Sequence, residues 1–185
     1  MARTPSNMLE LGTLAPNFSL INTIDNKTLS YNAVQGVNGT VVMFICNHCP
    51  YVKHVFEGVV ALAKDYQSSG FGFVAISSND VINYPDDAPS LMQETAAEQG
   101  FTFPYLYDES QEVAKAYDAA CTPDFYLFDA SQRLVYRGQM DDSRPGNGIP
   151  VTGKDIREAL DAIHSGTAVK TLQKPSLGCN IKWKV

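Results

Sequence analysis

Two thiols three residues apart, Cys46 and Cys49, with Asn47 and His48 between them, are the residues of this chain whose type and spacing best suit chemistry. Side chains three apart at a helix start have Cβ atoms about 5–6 Å from each other, and a disulfide asks for Cα atoms about 4.4–6.8 Å apart. The pair can therefore close and open with little backbone movement. A sulfur at a helix N-terminus faces unpaired backbone N–H groups and the positive end of the helix dipole, which favour thiolate over thiol. The expectation is that Cys46 sits at the N-cap and attacks, while Cys49, one turn inside, resolves the mixed disulfide. His48 adds an imidazolium charge or a hydrogen bond to that thiolate. The competing view of such a pair is two reduced cysteines packed as small apolar residues.

The elements around the pair must hold it. Val41 to Ile45 is apolar at every position and suits a central strand covered on both faces. From Pro50 to Tyr66, apolar residues Val52, Val55, Phe56, Val59 and Ala63 recur at helical spacing, and Gly70 closes the segment. Residues 71–77 repeat the buried-strand pattern, which completes a β-α-β unit. Before it, residues 17–21 and 29–31 read as an N-terminal hairpin. After it come a polar loop at 78–90 and a helix at 89–99 stopped by Gly100. A short strand at 105–107 follows, then a helix capped by Ser110, and an antiparallel hairpin built from 125–129 and 134–138. Residues 139–153 form a turn-rich loop anchored by Asp141, Asp142 and Arg144, and a last helix capped by Thr152 runs over 154–164. The tail, about 167–185, has no clear period, and the whole of 1–185 reads as a single domain.

Composition narrows the function classes. Twenty acidic against fourteen basic residues give a net charge of −6 with no basic block, so the electrostatic footprint of a nucleic-acid binder is missing. No run approaches the roughly 20 apolar residues of a membrane-spanning helix. Four cysteines are too few for a disulfide scaffold, and the N-terminus lacks the apolar segment of a secretory signal. The expected location is a reducing cytoplasm.

Strand, Cys-x-x-Cys, helix, strand, inserted helix, then Thr122-Pro123 leading into an antiparallel hairpin and a final helix: this order resembles the thioredoxin-like superfamily. The residues Cys46 to Lys53, Thr122 to Phe125, Tyr136 to Gln139, Asp141 to Pro145 and Pro175 to Trp183 are similar to its peroxiredoxin-like branch, related to alkyl hydroperoxide reductase and thiol-specific antioxidant proteins. The resemblance implies an α/β thioredoxin-like fold, with a central mixed β-sheet flanked by helices. It implies a cis Pro123 facing the cysteines, with the backbone of Thr122 left free to pair with a bound peptide. The chain departs from the pattern in places. Peroxiredoxins carry Pro-x-x-x-Thr-x-x-Cys; counting back from Cys49 gives Cys46 and Val42, and from Cys46 gives Met43 and Gly39. Their arginine falls at or beside Pro123. Thioredoxin's tryptophan before the first cysteine is Ile45, and its buried strand acid falls near Thr40.

The leading functional expectation is a thiol–disulfide oxidoreductase with Cys46 and Cys49 catalytic and His48, Thr122 and Pro123 supporting, needing no cofactor. Its partner would be a protein or small-molecule thiol or disulfide, with a thioredoxin-type reductant among the candidates. A thiol peroxidase is the enzymatic alternative. The alternative of another class is a metal carrier using Cys46, Cys49 and one of His48, His54 or His164, although no histidine has clear ligand spacing and no metal is assigned. Lys53 reads as a solvated helix lysine beside Glu57, and Cys121 as a packing residue. Cys179 is open between an inert tail cysteine and a third redox thiol, the role C-terminal cysteines take in some peroxiredoxins.

Overall fold

Successive side chains of a strand point to opposite faces, so a strand apolar at every position needs cover on both sides. The computed structural model, which describes residues 3–185, supplies that cover. In chain order the strands are β1 (Arg3–Pro5), β2 (Ser19–Asn22), β3 (Thr28–Ser30), β4 (Gly39–Phe44), β5 (Phe71–Ser77), β6 (Tyr105–Tyr107), β7 (Cys121–Thr122), β8 (Asp124–Asp129), β9 (Leu134–Gly138) and β10 (Leu177–Asn180). The helices are α1 (Tyr31–Val34), α2 (Pro50–Gln67), α3 (Pro89–Gln99), α4 (Glu112–Ala116) and α5 (Lys154–His164). Seven strands form a mixed sheet in the order β3-β2-β6-β5-β4-β8-β9, with β4 parallel to β5 and antiparallel to β8.

Val41 and Met43 turn to one face, where they meet Val52, Val55 and Leu62 of α2, Met92 of α3, and Ile156 and Leu160 of α5. Val42 and Phe44 turn to the other, against Tyr31, Tyr117, Tyr126 and Phe128. Each such fully buried side chain contributes about 1.5–3 kcal/mol, which makes the β4–β5–β8 centre a firm platform for whatever leaves the C-terminal end of β4.

The expected N-terminal hairpin is present as β2 and β3. The expected α2, α3 and α5, and the β8–β9 hairpin, lie where the periodicity placed them. Three helix starts differ. The N-cap of α2 is Cys49, whose carbonyl accepts the N–H groups of Val52 and Lys53, so Cys46 lies outside the helix. Gln111 caps α4 in a left-handed conformation, with the Ser110 hydroxyl one residue earlier accepting the Glu112 N–H. Gly153 caps α5, with φ +69° that favours glycine. Among the described residues, no helix is long and apolar enough to cross a membrane.

The tail is not structureless. Its strand β10 pairs antiparallel with β1 on one side and β7 on the other, so a second, three-stranded sheet brings the two ends of the chain together. Ser176 N–H donates to the Ser6 hydroxyl and Lys182 N–H to Asn79 Oδ1, which extends the anchorage on both sides of β10.

Candidate active site

Pro is well suited to the first helical position because its missing N–H would have had no partner there. Pro50 therefore fixes Cys49 as the N-cap of α2. The segment between the two cysteines is clamped by a buried carboxylate. Asp87 Oδ1 accepts the Asn47 N–H at 2.8 Å and the His48 N–H at 3.2 Å; Oδ2 accepts Asn79 Nδ2 at 2.8 Å and lies 2.6 Å from His48 Nδ1. Tyr105 donates its hydroxyl to Asn47 Oδ1. His48 is stacked on Tyr84 and turned towards Asp87, so it serves the loop rather than pointing at Cys49.

The peptide bond Thr122–Pro123 is cis, as the resemblance implied. Cys46 Sγ lies 3.5 Å from Thr122 Oγ1 and Cys49 Sγ 3.4 Å from the Thr122 carbonyl oxygen, so both expected cysteines and both expected shelf residues meet. The shelf itself is taken. Thr122 stands opposite Cys179 in the β7–β10 ladder, so the backbone expected to be free for a bound peptide is covered by the chain's own tail. Gly178 permits this approach, since a Cβ there would lie 1.9 Å from the Thr122 carbonyl oxygen.

Cys179 is thereby brought into the site, with its sulfur 2.7 Å from Cys49 Sγ. No two of the four cysteines are joined by a disulfide, and all four are buried: Cys46 is 1%, Cys49 0% and Cys179 2% exposed. Their ionisation is uneven. Hydrogen bonds from Cys46 and Cys179, together with the N–H groups of Val52 and Cys179, overcome burial and lower the pKa of Cys49 to about 5. The hydrogen bond to Cys49, burial and the nearby Asp87 charge push Cys46 well above the ordinary thiol range. Burial and the same Cys49 contact raise Cys179 to about 12. Negative charge in the trio is thus drawn towards Cys49, chiefly by the hydrogen bond from the Cys46 thiol, with the Cys179 thiol and the Val52 N–H at the start of α2 adding to it. The sequence expectation placed the thiolate on Cys46; the directions of these shifts favour Cys49.

The remaining expected residues fall elsewhere. Cys121 is buried with Sγ 3.8 Å from the Pro123 carbonyl oxygen, consistent with packing. His54 Nε2 lies 2.7 Å from Ser143 Oγ, and His164 is exposed in the last turn of α5. Asp141 anchors the 139–153 loop by accepting the N–H groups of Ser143, Thr152 and Gly153, while Arg144 donates to the carbonyls of Asp141 and Ser143. The sequence reading missed Asp87 altogether. Nothing in the polar run 78–90 marks it apart from Asp80 and Asp86. One group among the described residues could bring ligand atoms to a metal: Cys46, His48 and Asp87, with one ligand atom from each within 4.8 Å of the others. Within that group His48 Nδ1 and Asp87 Oδ2 lie 2.6 Å apart.

Residues 11–137 match the model of the AhpC/TSA family. The chain belongs to the AhpC/TSA family. Two solved structures are similar along their whole length. An uncharacterized conserved protein from Geobacillus kaustophilus is 59% identical with a TM-score of 0.98, over 100% of this chain and 97% of that one. A hypothetical protein from Sinorhizobium meliloti is 46% identical with a TM-score of 0.96, over 98% and 99%. The thioredoxin domain of a thiol-disulfide oxidoreductase from Bacteroides vulgatus is 15% identical with a TM-score of 0.62, over 80% of this chain and 96% of that one; this likeness shows the thioredoxin-like fold. No curated protein matches the chain.

Proposed function

We propose that this AhpC/TSA-family protein is a thiol–disulfide oxidoreductase working through a reversible Cys46–Cys49 disulfide, with His48, Thr122 and Pro123 supporting the pair. The observation that carries this reading is the meeting of both sulfurs at Thr122 beside the cis Pro123, Cys46 Sγ 3.5 Å from its hydroxyl and Cys49 Sγ 3.4 Å from its carbonyl oxygen. In the reducing direction the Cys49 thiolate attacks one sulfur of a partner disulfide, and the other sulfur leaves as a thiolate. Cys46 then gives up its proton and attacks Cys49 Sγ, so that the partner departs fully reduced and the chain keeps the Cys46–Cys49 disulfide. A thiol reductant, of thioredoxin or small-molecule type, restores the dithiol by the same steps in reverse. A reducing cytoplasm is the compartment that suits such a pair.

Two measurements test the assignment. In a Cys179→Ser background, which removes the neighbouring thiol, titration against glutathione should give one two-electron transition that disappears when Cys46→Ser or Cys49→Ser is added. In the same background, Cys46→Ser should trap a mixed disulfide on Cys49. A trap seen only with Cys49→Ser would restore Cys46 as the attacking residue. The absence of any reversible Cys46–Cys49 disulfide would defeat the proposal.

Membership of the AhpC/TSA family favours a second reading, a thiol peroxidase with Cys49 as the thiolate. Against it, the family's threonine position three residues before Cys49 is Cys46. The arginines of the 137–144 region are engaged elsewhere, Arg137 with the Leu9 carbonyl and Gln173, and Arg144 with the carbonyls of Asp141 and Ser143. Peroxide consumption in the presence of a thioredoxin-type reductant separates the two readings.

A further inference from the structure

The two terminal strands do more than close the fold, because β10 delivers a sulfur to the site. Cys179 Sγ lies 2.7 Å from Cys49 Sγ, inside ordinary non-bonded contact and somewhat longer than the roughly 2.05 Å of a disulfide bond. The placement is over-determined. Cys179 stands between Arg3 of β1 and Thr122 of β7 in the ladders, Gly178 lets β10 approach Thr122, and Ser176 donates its hydroxyl to the Pro123 carbonyl. Cys49 is also hydrogen-bonded to Cys46, so its sulfur has a thiol on each side.

We propose that Cys179 is a third catalytic thiol, and that Cys49 is the sulfur shared by two alternative disulfides, Cys46–Cys49 and Cys49–Cys179. The inference rests on the redox reading of Cys46 and Cys49. Starting from the Cys46–Cys49 disulfide, Cys179 loses its proton and attacks Cys49 Sγ. The Cys49–Cys179 bond forms as the Cys46–Cys49 bond breaks, and Cys46 leaves with the electron pair and takes up a proton. Two thiols and one disulfide stand on each side, or one thiol and one disulfide counting only the trio, so no outside oxidant or reductant is consumed. The second disulfide fastens β10 across Thr122 and holds the site shut; the first leaves that strand unfastened. Oxidised protein is thus divided between a form with a covalently closed tail and one whose tail is held by hydrogen bonds alone.

The reagent for the test is glutathione disulfide, with products mapped after acid quenching. Tryptic cleavage leaves Cys46 and Cys49 together on residues 28–53 and Cys179 on residues 171–182, so a Cys49–Cys179 disulfide appears as two cross-linked peptides. In Cys46→Ser, the Cys49 thiolate first takes up glutathione, releasing one reduced glutathione. Cys179 then displaces the second. The thiol count of that variant should fall from three to one, with the cross-linked peptides present. Cys46→Ser with Cys179→Ser should instead stop at glutathione bound to Cys49.

The inference is overturned if Cys46→Ser also stops at the glutathione adduct, or keeps its three thiols, while Cys179→Ser still forms the Cys46–Cys49 disulfide. Failure of Cys179→Ser to form that disulfide would sink the redox reading itself. Should Cys46→Ser not fold, the oxidised wild-type chain supplies the same readout. Cross-linked peptides present alongside the internal Cys46–Cys49 peptide support the relay, and their absence overturns it.

Discussion

A buried anion persists only where donors replace the water it has lost, and for Cys49 those donors are few enough to name. The largest contribution is the Cys46 thiol, followed by the Cys179 thiol and the N–H groups of Val52 and Cys179. Cys46→Ala removes the first of these, so the Cys49 pKa should rise from about 5 towards the free-thiol value of about 8.5. Ultraviolet thiolate absorbance followed across pH reads that change directly. The same ionisation sets a pH dependence of stability. Between the folded and unfolded pKa values of Cys49 the unfolded chain binds the extra proton, so stability of the reduced protein should rise from about pH 5 to about pH 8.5. Above that range the sign reverses, because unfolding lets Cys46 and Cys179 ionise at their ordinary values while the folded state keeps them protonated. Urea unfolding under a reductant should therefore show a maximum near pH 8.5. A factor of ten in an ionisation constant is worth about 1.4 kcal/mol, and Cys49→Ser should remove the rising limb. A profile unchanged by Cys49→Ser would place the charge elsewhere. The part of this arrangement legible in the sequence is the cap: a proline at position 50 marks the first helical residue and makes Cys49 the N-cap.

At the scale of elements, the position of the tail strand depends on one missing side chain. A Cβ on Gly178 would fall 1.9 Å from the Thr122 carbonyl oxygen, which is backbone and cannot swing aside. Gly178→Ala should push β10 away from β7, at a cost of about 1–3 kcal/mol typical of overpacking. It should also speed alkylation of Cys49, because the strand that covers Thr122 no longer closes on it. Faster alkylation with unchanged far-ultraviolet circular dichroism would fit local detachment, whereas an unchanged alkylation rate would mean that β10 does not gate the site. This strand is also where sequence reading stopped. β4, β5, α2 and α5 announce themselves through long apolar runs or helical periodicity, whereas β1 and β10 have three and four residues and no period of their own. Their pairing joins Arg3 to Cys179, a contact that no local pattern can signal. The same holds for Asp87, whose importance comes from four donors that converge from residues 47, 48 and 79 only after folding.

For the molecule as a whole, burial of all the sulfurs means that chemistry with any partner must wait for an opening. The central strands are the wrong place to open. β4, β5 and β8 carry apolar side chains packed on both faces, and breaking them would dissolve both halves of the core at once. The small sheet offers a cheaper route. It has three short strands, of which the outer strand β1 and the central strand β10 carry exposed residues, Arg3, Pro5 and Asn180. Proteins open locally in cooperative units whose free energies range from near zero up to that of global unfolding. Hydrogen exchange of the reduced protein should therefore show the Thr4, Gly178 and Cys179 amides opening together and earlier than those of Val42, Val74 and Tyr126. Formation of a Cys49–Cys179 disulfide should slow the first group and leave the second unchanged. If the β10 amides instead exchange as slowly as those of β4, access to Cys49 runs through the Asn47–His48 segment. The clamp to test would then be Asp87, with Asp87→Asn expected to raise Cys49 alkylation where Gly178→Ala does not.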